Sequence, residues 1–223
     1  EANYVWFVDD TFTLNYNRTR EFCRALSALR KERHFVWFCE GHAALLCGRP
    51  DLVEMMVDAG MARMQVGMES GCLETLECYK KQITPENIEQ VVQISKRAGL
   101  AQLAGNFIIG GVRETAETLE RTAKFVEGLH DLAPGLIDIS TTFIMPLPNT
   151  EISKCPRDFG ITLIDPVSLT SIEDFPVNET DSLSRFEISM ATRKFLQRSL
   201  DRMQKLFKNG AVPRETIKRH FEL

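Results

Sequence analysis

The sequence predicts an α/β protein whose architecture is an incomplete parallel (β/α) TIM-like barrel, with five βα units followed by C-terminal helices. The first observation is that short apolar runs alternate with amphipathic helical stretches, with a repeat of roughly 30 to 40 residues. The second is that loops with Asp, Glu, Gly or Pro follow four of the five apolar runs. Polar chemistry spread around one rim favours a barrel over a doubly wound sheet, which would concentrate it at one switch point. Five strands are too few for a closed eight-stranded barrel.

Size and charge restrict the classes of partner. A chain of 223 residues is long enough for one domain with a substantial core, and its net charge of −4 provides no general basic surface for nucleic acid. No apolar run approaches the ~20 residues that a membrane-spanning helix needs. We therefore expect a cytoplasmic protein with a small-molecule substrate and with neither nucleic acid nor membrane as partner.

Each βα unit has its own start and stop signals. The five predicted strands cover residues 4–8, 35–39, 62–66, 105–109 and 137–144. The first helix is predicted to bury Phe22, Leu26 and Leu29, and Thr84 with Pro85 begins a strong helix that ends at Gly99. Because helices separate the strands, the crossovers are right-handed and the sheet is parallel.

The C-terminal third departs from this alternation. Residues 149–180 read as a loop containing Pro and Asp, residues 183–207 as a long amphipathic helix, and a short helix follows Pro213. We expect the long helix to cover the barrel through its apolar stripe. That stripe comprises Phe186, Met190, Phe195, Leu196 and Leu200. Residues 1–150 are thus a partial barrel, and residues 151–223 are a loop and helical extension of the same domain.

Acidic side chains follow the first and third strands. Asp9 and Asp10 can accept hydrogen bonds from an ammonium group or bind a hard cation, or they can cap the next turn. Glu69 lies between Gly67 and Gly71, which allow close backbone approach, and it can accept from sugar hydroxyls or from an ammonium group. A carboxylate that caps the following helix is the alternative.

Glycine and proline mark the ends of the last two strands. Residues 110–115, G-G-V-R-E-T, stand between strand and helix but match neither G-x-G-x-x-G nor a P-loop, so a pyrophosphate site is not indicated. The two glycines allow a flat ligand to approach the backbone. Residues 146–150, P-L-P-N-T, form a rigid exit that suits a heterocyclic ring or a simple turn.

Six cysteines and four histidines give little support for a metal site. The cysteines are scattered without a C-x-x-C pair, which favours core or incidental thiols over a disulfide framework or zinc ligands. His42, just past the second strand, is more typical of a solvent-facing or structurally bonded histidine.

Taken in order, these motifs resemble the radical S-adenosylmethionine (radical SAM) enzymes. The matching segments are F-V-D-D-T-F-T at 7–13, G-M-E-S-G at 67–71, Lys81 with Thr84, G-G-V-R-E-T at 110–115 and P-L-P-N-T at 146–150. They are most similar to the branch that often carries a cobalamin-binding domain, typified by the magnesium-protoporphyrin IX monomethyl ester oxidative cyclase. The resemblance implies a six-unit partial barrel with SAM and a 4Fe-4S cluster as cofactors, and cobalamin as a further candidate.

The resemblance also implies a set of SAM-binding residues. By motif position they are Asp9 and Asp10 for the methionine amino group, Glu69 and Ser70 for the ribose and methionine, and Ile108, Gly110, Gly111, Met145 and Pro146 for the adenine edges. No residue is assigned a catalytic role. Val112 and Arg113 stand where the family commonly has Pro-Gly, and Arg113 is expected to contact an acidic group of a substrate.

The family's C-x-x-x-C-x-x-C loop, which ligates three irons of the cluster, is absent from the sequence. We therefore expect a fragment that begins at the second barrel strand, binds none of these cofactors and no metal, and is inactive alone. The strand at residues 4–8 would have an unpaired edge, which predicts edge-strand pairing or a homodimer.

The function predicted for the parent protein is radical SAM chemistry, in which a 5′-deoxyadenosyl radical starts oxidation, cyclisation or methyl transfer on an organic substrate. Two alternatives come from other classes. One is a metal-dependent barrel hydrolase or lyase with Asp9, Asp10, His42 and Glu69 as ligands, and the other is a non-catalytic binding domain.

Overall fold

The protein, described by a computed structural model over residues 3–164 and 175–221, contains a parallel sheet with helices against it. The strands are β1 (Tyr4–Trp6), β2 (Val36–Gly41), β3 (Met61–Glu69), β4 (Gln102–Ile109), β5 (Ile137–Phe143), β6 (Ile161–Leu163) and β7 (Asn178–Thr180). The helices are α1 (Tyr16–Leu29), α2 (Ala43–Cys47), α3 (Pro50–Asp58), α4 (Leu73–Cys78), α5 (Pro85–Ala98), α6 (Ala116–Leu132), α7 (Glu151–Lys154), α8 (Arg185–Lys208) and α9 (Arg214–Phe221).

The main sheet has five parallel strands in the order of the chain, β1 to β5. This confirms the predicted α/β class with five βα units. The barrel is not closed, because within the described ranges β1 and β5 pair on one side only. The pairing or dimerisation expected at the β1 edge stays a prediction.

Local sequence signals explain the helix boundaries. In α5, the Thr84 hydroxyl accepts from the Asn87 backbone N–H while the Asn87 side chain accepts from the Thr84 backbone N–H. The helix ends at Gly99, whose φ of 75° lies in the left-handed region that glycine adopts readily. Its apolar stripe, with Ile88 and Val91, is buried against the core as predicted.

The core lies between the sheet and the helices, and the opposite face of the sheet is more polar. Trp37, Met64 and Phe107 are fully buried on the helix side. Their strands alternate, so that partly exposed side chains such as Gln65 and Asn106 project from the other face. Parallel barrels hold their ligands at the carboxyl ends of the strands, so the carboxyl-end edge of this polar face is where a site is expected.

The C-terminal region differs from the prediction in two respects. Within residues 149–180, the structure forms α7, a 3-10 turn at Pro156–Phe159 and the antiparallel pair β6–β7, while residues 165–174 lie outside the described ranges. The expected stripe of α8 is also wrong at most positions. Phe195 is buried, but Phe186 is 67% exposed, and Met190, Leu196 and Leu200 are also exposed. In α1, Leu29 is likewise exposed, and Cys23 is buried instead.

Polar contacts explain why α8 turns a different face to the protein. Arg198 donates to Glu120 and to Glu127 of α6, and Arg202 pairs with Asp131 one turn further along. These bidentate and networked ion pairs have fixed geometry, unlike isolated surface pairs. They place Phe195 against Phe107 of β4, with ring centroids 5.6 Å apart.

A buried glutamate organises the loop after β4. One oxygen of Glu114, a fully buried side chain, accepts the backbone N–H groups of Gly110 (2.6 Å) and Gly111 (3.2 Å). The Asn178 amide donates to the Gly110 carbonyl at 2.9 Å, and the Thr180 hydroxyl donates to the Glu114 carbonyl at 3.0 Å. The β6–β7 pair is therefore fastened to this loop.

Among the described residues, no helix combines the length and apolar character that crossing a bilayer requires.

Protonation of His130 should loosen the contact between α6 and α8. His130 is buried, its Nε2 lies 2.8 Å from the Ser199 hydroxyl, and its Nδ1 has no partner within the described residues. Burial lowers its pKa, Arg202 lowers it further, and Asp131 and Asp138 oppose the effect. A lowered pKa means that stability present above about pH 6.5 is lost as the pH falls below that value.

We expect His130→Gln, measured by urea unfolding between pH 7.5 and 5, to lose less stability on acidification than the wild type. The exposed His34 supplies the matched control, His34→Gln. Parallel pH profiles for the wild type and His130→Gln would contradict the assignment.

Glu114 should have the opposite effect on the pH dependence of stability. Burial raises its pKa from 4.5 to about 7, although the two N–H donors favour the carboxylate. The raised pKa stabilises the fold below about pH 4.5, and this stability is lost as the pH rises through 7, up to about 3 kcal/mol. We expect Glu114→Gln to gain stability relative to wild type between pH 5 and 8 in denaturant titrations.

Glu117, exposed in the first turn of the same helix, gives the control Glu117→Gln. A stability difference between Glu114→Gln and wild type that does not change with pH would show that Glu114 does not titrate in this range.

Candidate functional site

A polar cavity of about 210 Å³ opens at the carboxyl ends of β1 to β4. Side chains from four successive βα units reach it. The lining residues are Asp10, Thr11, Glu40, Gly41, His42, Gln65, Gly67, Glu69, Lys81 and Asn106. Since the carboxyl ends of parallel strands lie at one edge, the topology alone brings these distant residues together.

The centre of the cavity is an ion pair between Glu69 and Lys81. Glu69 is only 6% exposed and has a φ of 59°, a conformation uncommon for a residue with a side chain. Its carboxylate and the Lys81 ammonium occupy the space that a Cβ at position 67 would fill. Gly67 is therefore required so that the pair can lie against the sheet.

Lys81 reaches the cavity because the chain turns sharply after α4. The residues on both sides of it, Lys80 and Gln82, have φ values of 52° and 55°. Two left-handed residues are costly, and they persist where surrounding contacts fix the turn. The turn returns the chain toward β3, and the ammonium group meets Glu69 there.

Asn106 on β4 is a site residue that the sequence reasoning missed. It is the register partner of Gly67, so it lies beside the Glu69–Lys81 pair. The Ser140 hydroxyl donates to its Oδ1 at 3.1 Å, and its Nδ2 donates to the Thr142 hydroxyl at 3.3 Å. Strands are depleted in asparagine, and this was the signal available in the sequence.

The cavity is electronegative. Asp10, Glu40 and Glu69 contribute three carboxylates against the single ammonium of Lys81, which gives a formal charge of −2 with neutral His42. Desolvation lowers the pKa of His42, and the nearby Lys81 lowers it further, so this ring is neutral at pH 7. A ligand with positive charge is electrostatically favoured here.

Of the two carboxylates that follow β1, only one lines the cavity. Asp10 lines the cavity, whereas Asp9 accepts from the Arg18 guanidinium at 2.5 Å at an exposed position. His42 also lines the cavity, and its backbone N–H donates to the Thr13 hydroxyl at 3.4 Å. The loops after β1 and β2 are thereby joined.

Ser70 lies on the other side of its strand end. Its fully buried hydroxyl shares a hydrogen bond of 3.0 Å with the Thr122 hydroxyl of α6 and accepts from the Cys72 backbone N–H at 3.1 Å. These contacts fix the turn between β3 and α4.

The expected adenine-side residues lie at the neighbouring ends of β4 and β5. Ile108 is the register partner of Thr142, while Met145 and Pro146 follow β5. The N–H groups of Gly110 and Gly111 are directed at Glu114.

The residues present do not fit an iron-sulfur cluster. In the described part of the chain, no three His, Cys, Asp or Glu side chains are placed to hold a metal ion, and all six cysteines are free. Burial raises the pKa of the Cys23 thiol to about 11, so it is protonated at neutral pH. The hydrolase alternative lacks its ligand set for the same reason.

Comparisons with known proteins agree on one family. Residues 1–126 match the radical SAM superfamily. An uncharacterized methyltransferase from Pyrococcus horikoshii is 32% identical over 148 residues, covering 66% of this chain and 30% of its own length. The anaerobic magnesium-protoporphyrin IX monomethyl ester cyclase of Rubrivivax gelatinosus is 23% identical over 215 residues, which are 95% of this chain and 35% of that protein.

A solved structure shows the same fold. The radical SAM methyltransferase TsrM from Kitasatospora setae, determined with cobalamin and a [4Fe-4S] cluster bound, superposes with a TM-score of 0.57 at 15% identity. The match covers 78% of this chain and 35% of TsrM. The chain thus spans about a third of the proteins that it matches. Because the superfamily match covers more than half of its residues, the chain belongs to the radical SAM superfamily.

Proposed function

We propose that the cavity at the carboxyl ends of β1 to β4 binds SAM. The protein then belongs to an enzyme that modifies an organic substrate by methyl transfer, oxidation or cyclisation. The observation that carries the proposal is the Glu69–Lys81 pair, set over Gly67 in a cavity with a net charge of −2. SAM carries a sulfonium, an ammonium and a carboxylate, so its positive charges suit the cavity, and its carboxylate suits the single cation.

Four cavity residues have direct roles in this proposal. Lys81 binds the SAM carboxylate, and Asp10 accepts from the ammonium group. Glu69 and Asn106 hydrogen-bond the ribose hydroxyls, since both line the cavity and Asn106 is the register partner of Gly67, over which the Glu69 carboxylate lies. Fixed, partly desolvated donors and acceptors give specificity because their own orientation is already determined before the ligand binds.

The ends of β4 and β5 form the proposed adenine side. Ile108, Met145 and Pro146 offer apolar contact for the ring, and Gly110 with Gly111 permits close approach of the backbone. Ser70 contributes through its bonds to Thr122 and Cys72, which hold the turn that follows Glu69. Asp9 acts on the site only indirectly, through its ion pair with Arg18 at the start of α1.

The cluster supplies the electron that cleaves SAM in this family, and the described residues provide no ligands for it. No step through the cluster is therefore assigned to these residues. The methyltransferase and cyclase names of the relatives support methyl transfer or oxidative cyclisation as the reaction. The cobalamin in the TsrM structure supports cobalamin as a further cofactor of the whole protein.

Lys81→Met should weaken SAM binding at least tenfold, because the ligand carboxylate loses its cation. The measurement is isothermal titration calorimetry of SAM against the purified chain. The same variant should bind 5′-methylthioadenosine nearly as well as wild type, because this ligand has no amino-acid part. An equal loss of affinity for SAM and for 5′-methylthioadenosine would contradict the assignment of Lys81 to the carboxylate.

Asn106→Leu should weaken SAM and 5′-methylthioadenosine together, about tenfold each, because both ligands carry the ribose. Ser140→Ala should cost less than Asn106→Leu, since Thr142 still holds the amide. Glu74→Gln, which changes the exposed pair with Arg121, is the control. Unchanged affinity in Asn106→Leu would remove Asn106 from the site, and absence of SAM binding by the wild type would remove the proposal itself.

A further inference from the structure

A second polar cavity lies outside the proposed SAM site, where the loop after β4 meets the C-terminal extension. It measures about 260 Å³, and it shares no lining residue with the first cavity. Its lining comprises Arg113, Glu114, Arg157, Gly160, Asp181 and Ser182.

Arg113 is held in place at its backbone. Its φ of 53° lies in the left-handed region, where glycine is favoured over arginine. Its N–H donates to the Phe159 carbonyl at 3.2 Å, and its guanidinium Nη2 donates to the Asp158 carbonyl at 3.3 Å. The loop thus has an arginine at a backbone conformation that favours glycine, and this side chain lines the cavity.

A second guanidinium enters the same cavity from the 3-10 turn that contains Arg157. Among the described residues, neither Arg113 nor Arg157 forms an ion pair with a carboxylate. Glu114 pairs with neither guanidinium, and one oxygen of its side chain accepts from the backbone N–H groups of Gly110 and Gly111 instead. Both arginine side chains are solvent-exposed, so an anion from solution can reach them.

Asp181 is the one other charged side chain in the lining. Its backbone N–H donates to the Gly160 carbonyl at 3.0 Å. Its Oδ2 lies 3.0 Å from the position that a Cβ on residue 160 would take. Because Gly160 has no side chain, Asp181 and Arg113 both pack against it. The two guanidinium groups balance the carboxylates of Asp181 and Glu114 in formal charge, and the cavity has a net charge of +1 when Glu114 is protonated. The Ser182 hydroxyl offers a neutral donor.

We propose that this cavity is an anion-binding site for a phosphate group, with Arg113 and Arg157 as its two cationic ligands. Planar guanidinium groups match the oxygens of phosphate in bidentate fashion, and a hydroxyl donor can serve a third oxygen. Asp181 lowers the affinity, so that the site exchanges its anion. The inference does not depend on SAM binding, because the two cavities have separate linings.

The test measures binding of inorganic phosphate to the SAM-free full chain at constant ionic strength, by calorimetry with a thermal-shift assay beside it. We expect saturable binding by the wild type and at least a tenfold loss in both Arg113→Gly and Arg157→Gln. Asp181→Asn should bind several-fold more tightly. Arg113→Gly is the stringent variant, because glycine suits φ 53° and should leave the fold intact.

Arg193→Gln, at an exposed position of α8, is the control for general charge effects and should bind phosphate like the wild type. A second arm compares inorganic phosphate with glycerol 3-phosphate. Tighter binding of the ester assigns the site to a phosphorylated organic ligand, and tighter binding of the free ion assigns it to inorganic phosphate. Equal phosphate affinity in the wild type, Arg113→Gly and Arg157→Gln would overturn the proposal.

Discussion

The hydrogen bonds from the Gly110 and Gly111 N–H groups to the buried Glu114 carboxylate are the contact on which the C-terminal half of the structure depends. They close the turn after β4. Gly110 then provides the surface against which Ile188 of α8 packs, and its carbonyl receives the Asn178 amide. A carboxylate is costly to bury, so the turn is stable only while both donors remain in place.

Parallel pairing provides the other constraint, because it converts five sequence-distant loops into one rim. Each loop delivers its side chain to the rim by a different local device. Gly67 leaves space for a folded-back carboxylate, two left-handed residues turn Lys81 inward, and Asn106 is oriented by hydroxyls from the next strand. The site is therefore a product of backbone conformation as much as of side-chain identity. Substitutions that preserve chemistry but not conformation would displace it.

Much of the fold could be predicted because its signals are local and repeated. Apolar runs, capping residues such as Thr84 and the stop at Gly99 identified the βα units and their order. Asp10 and Glu69 could be singled out because they follow strands. The face that α8 turns to the protein could not be predicted, because the ion pairs from Arg198 and Arg202 to α6 determine it. The periodicity of one helix carries no information about its partner helix. Asn106 was missed for a related reason, since its role arises from Gly67 and Ser140 on the two neighbouring strands.

The position of β5 at the edge of the described sheet has a dynamic consequence. Ser140 and Thr142, which orient Asn106, belong to this outer strand, whose other side pairs with no strand in the described ranges. Edge strands open locally at lower free energy than central ones, as amide hydrogen exchange records. Each opening of β5 would release the Asn106 carboxamide to rotate while β3 and β4 remain intact. Recognition at the cavity would then be governed by a strand that does not line it, and any neighbour that pairs with β5 would sharpen recognition without touching the ligand.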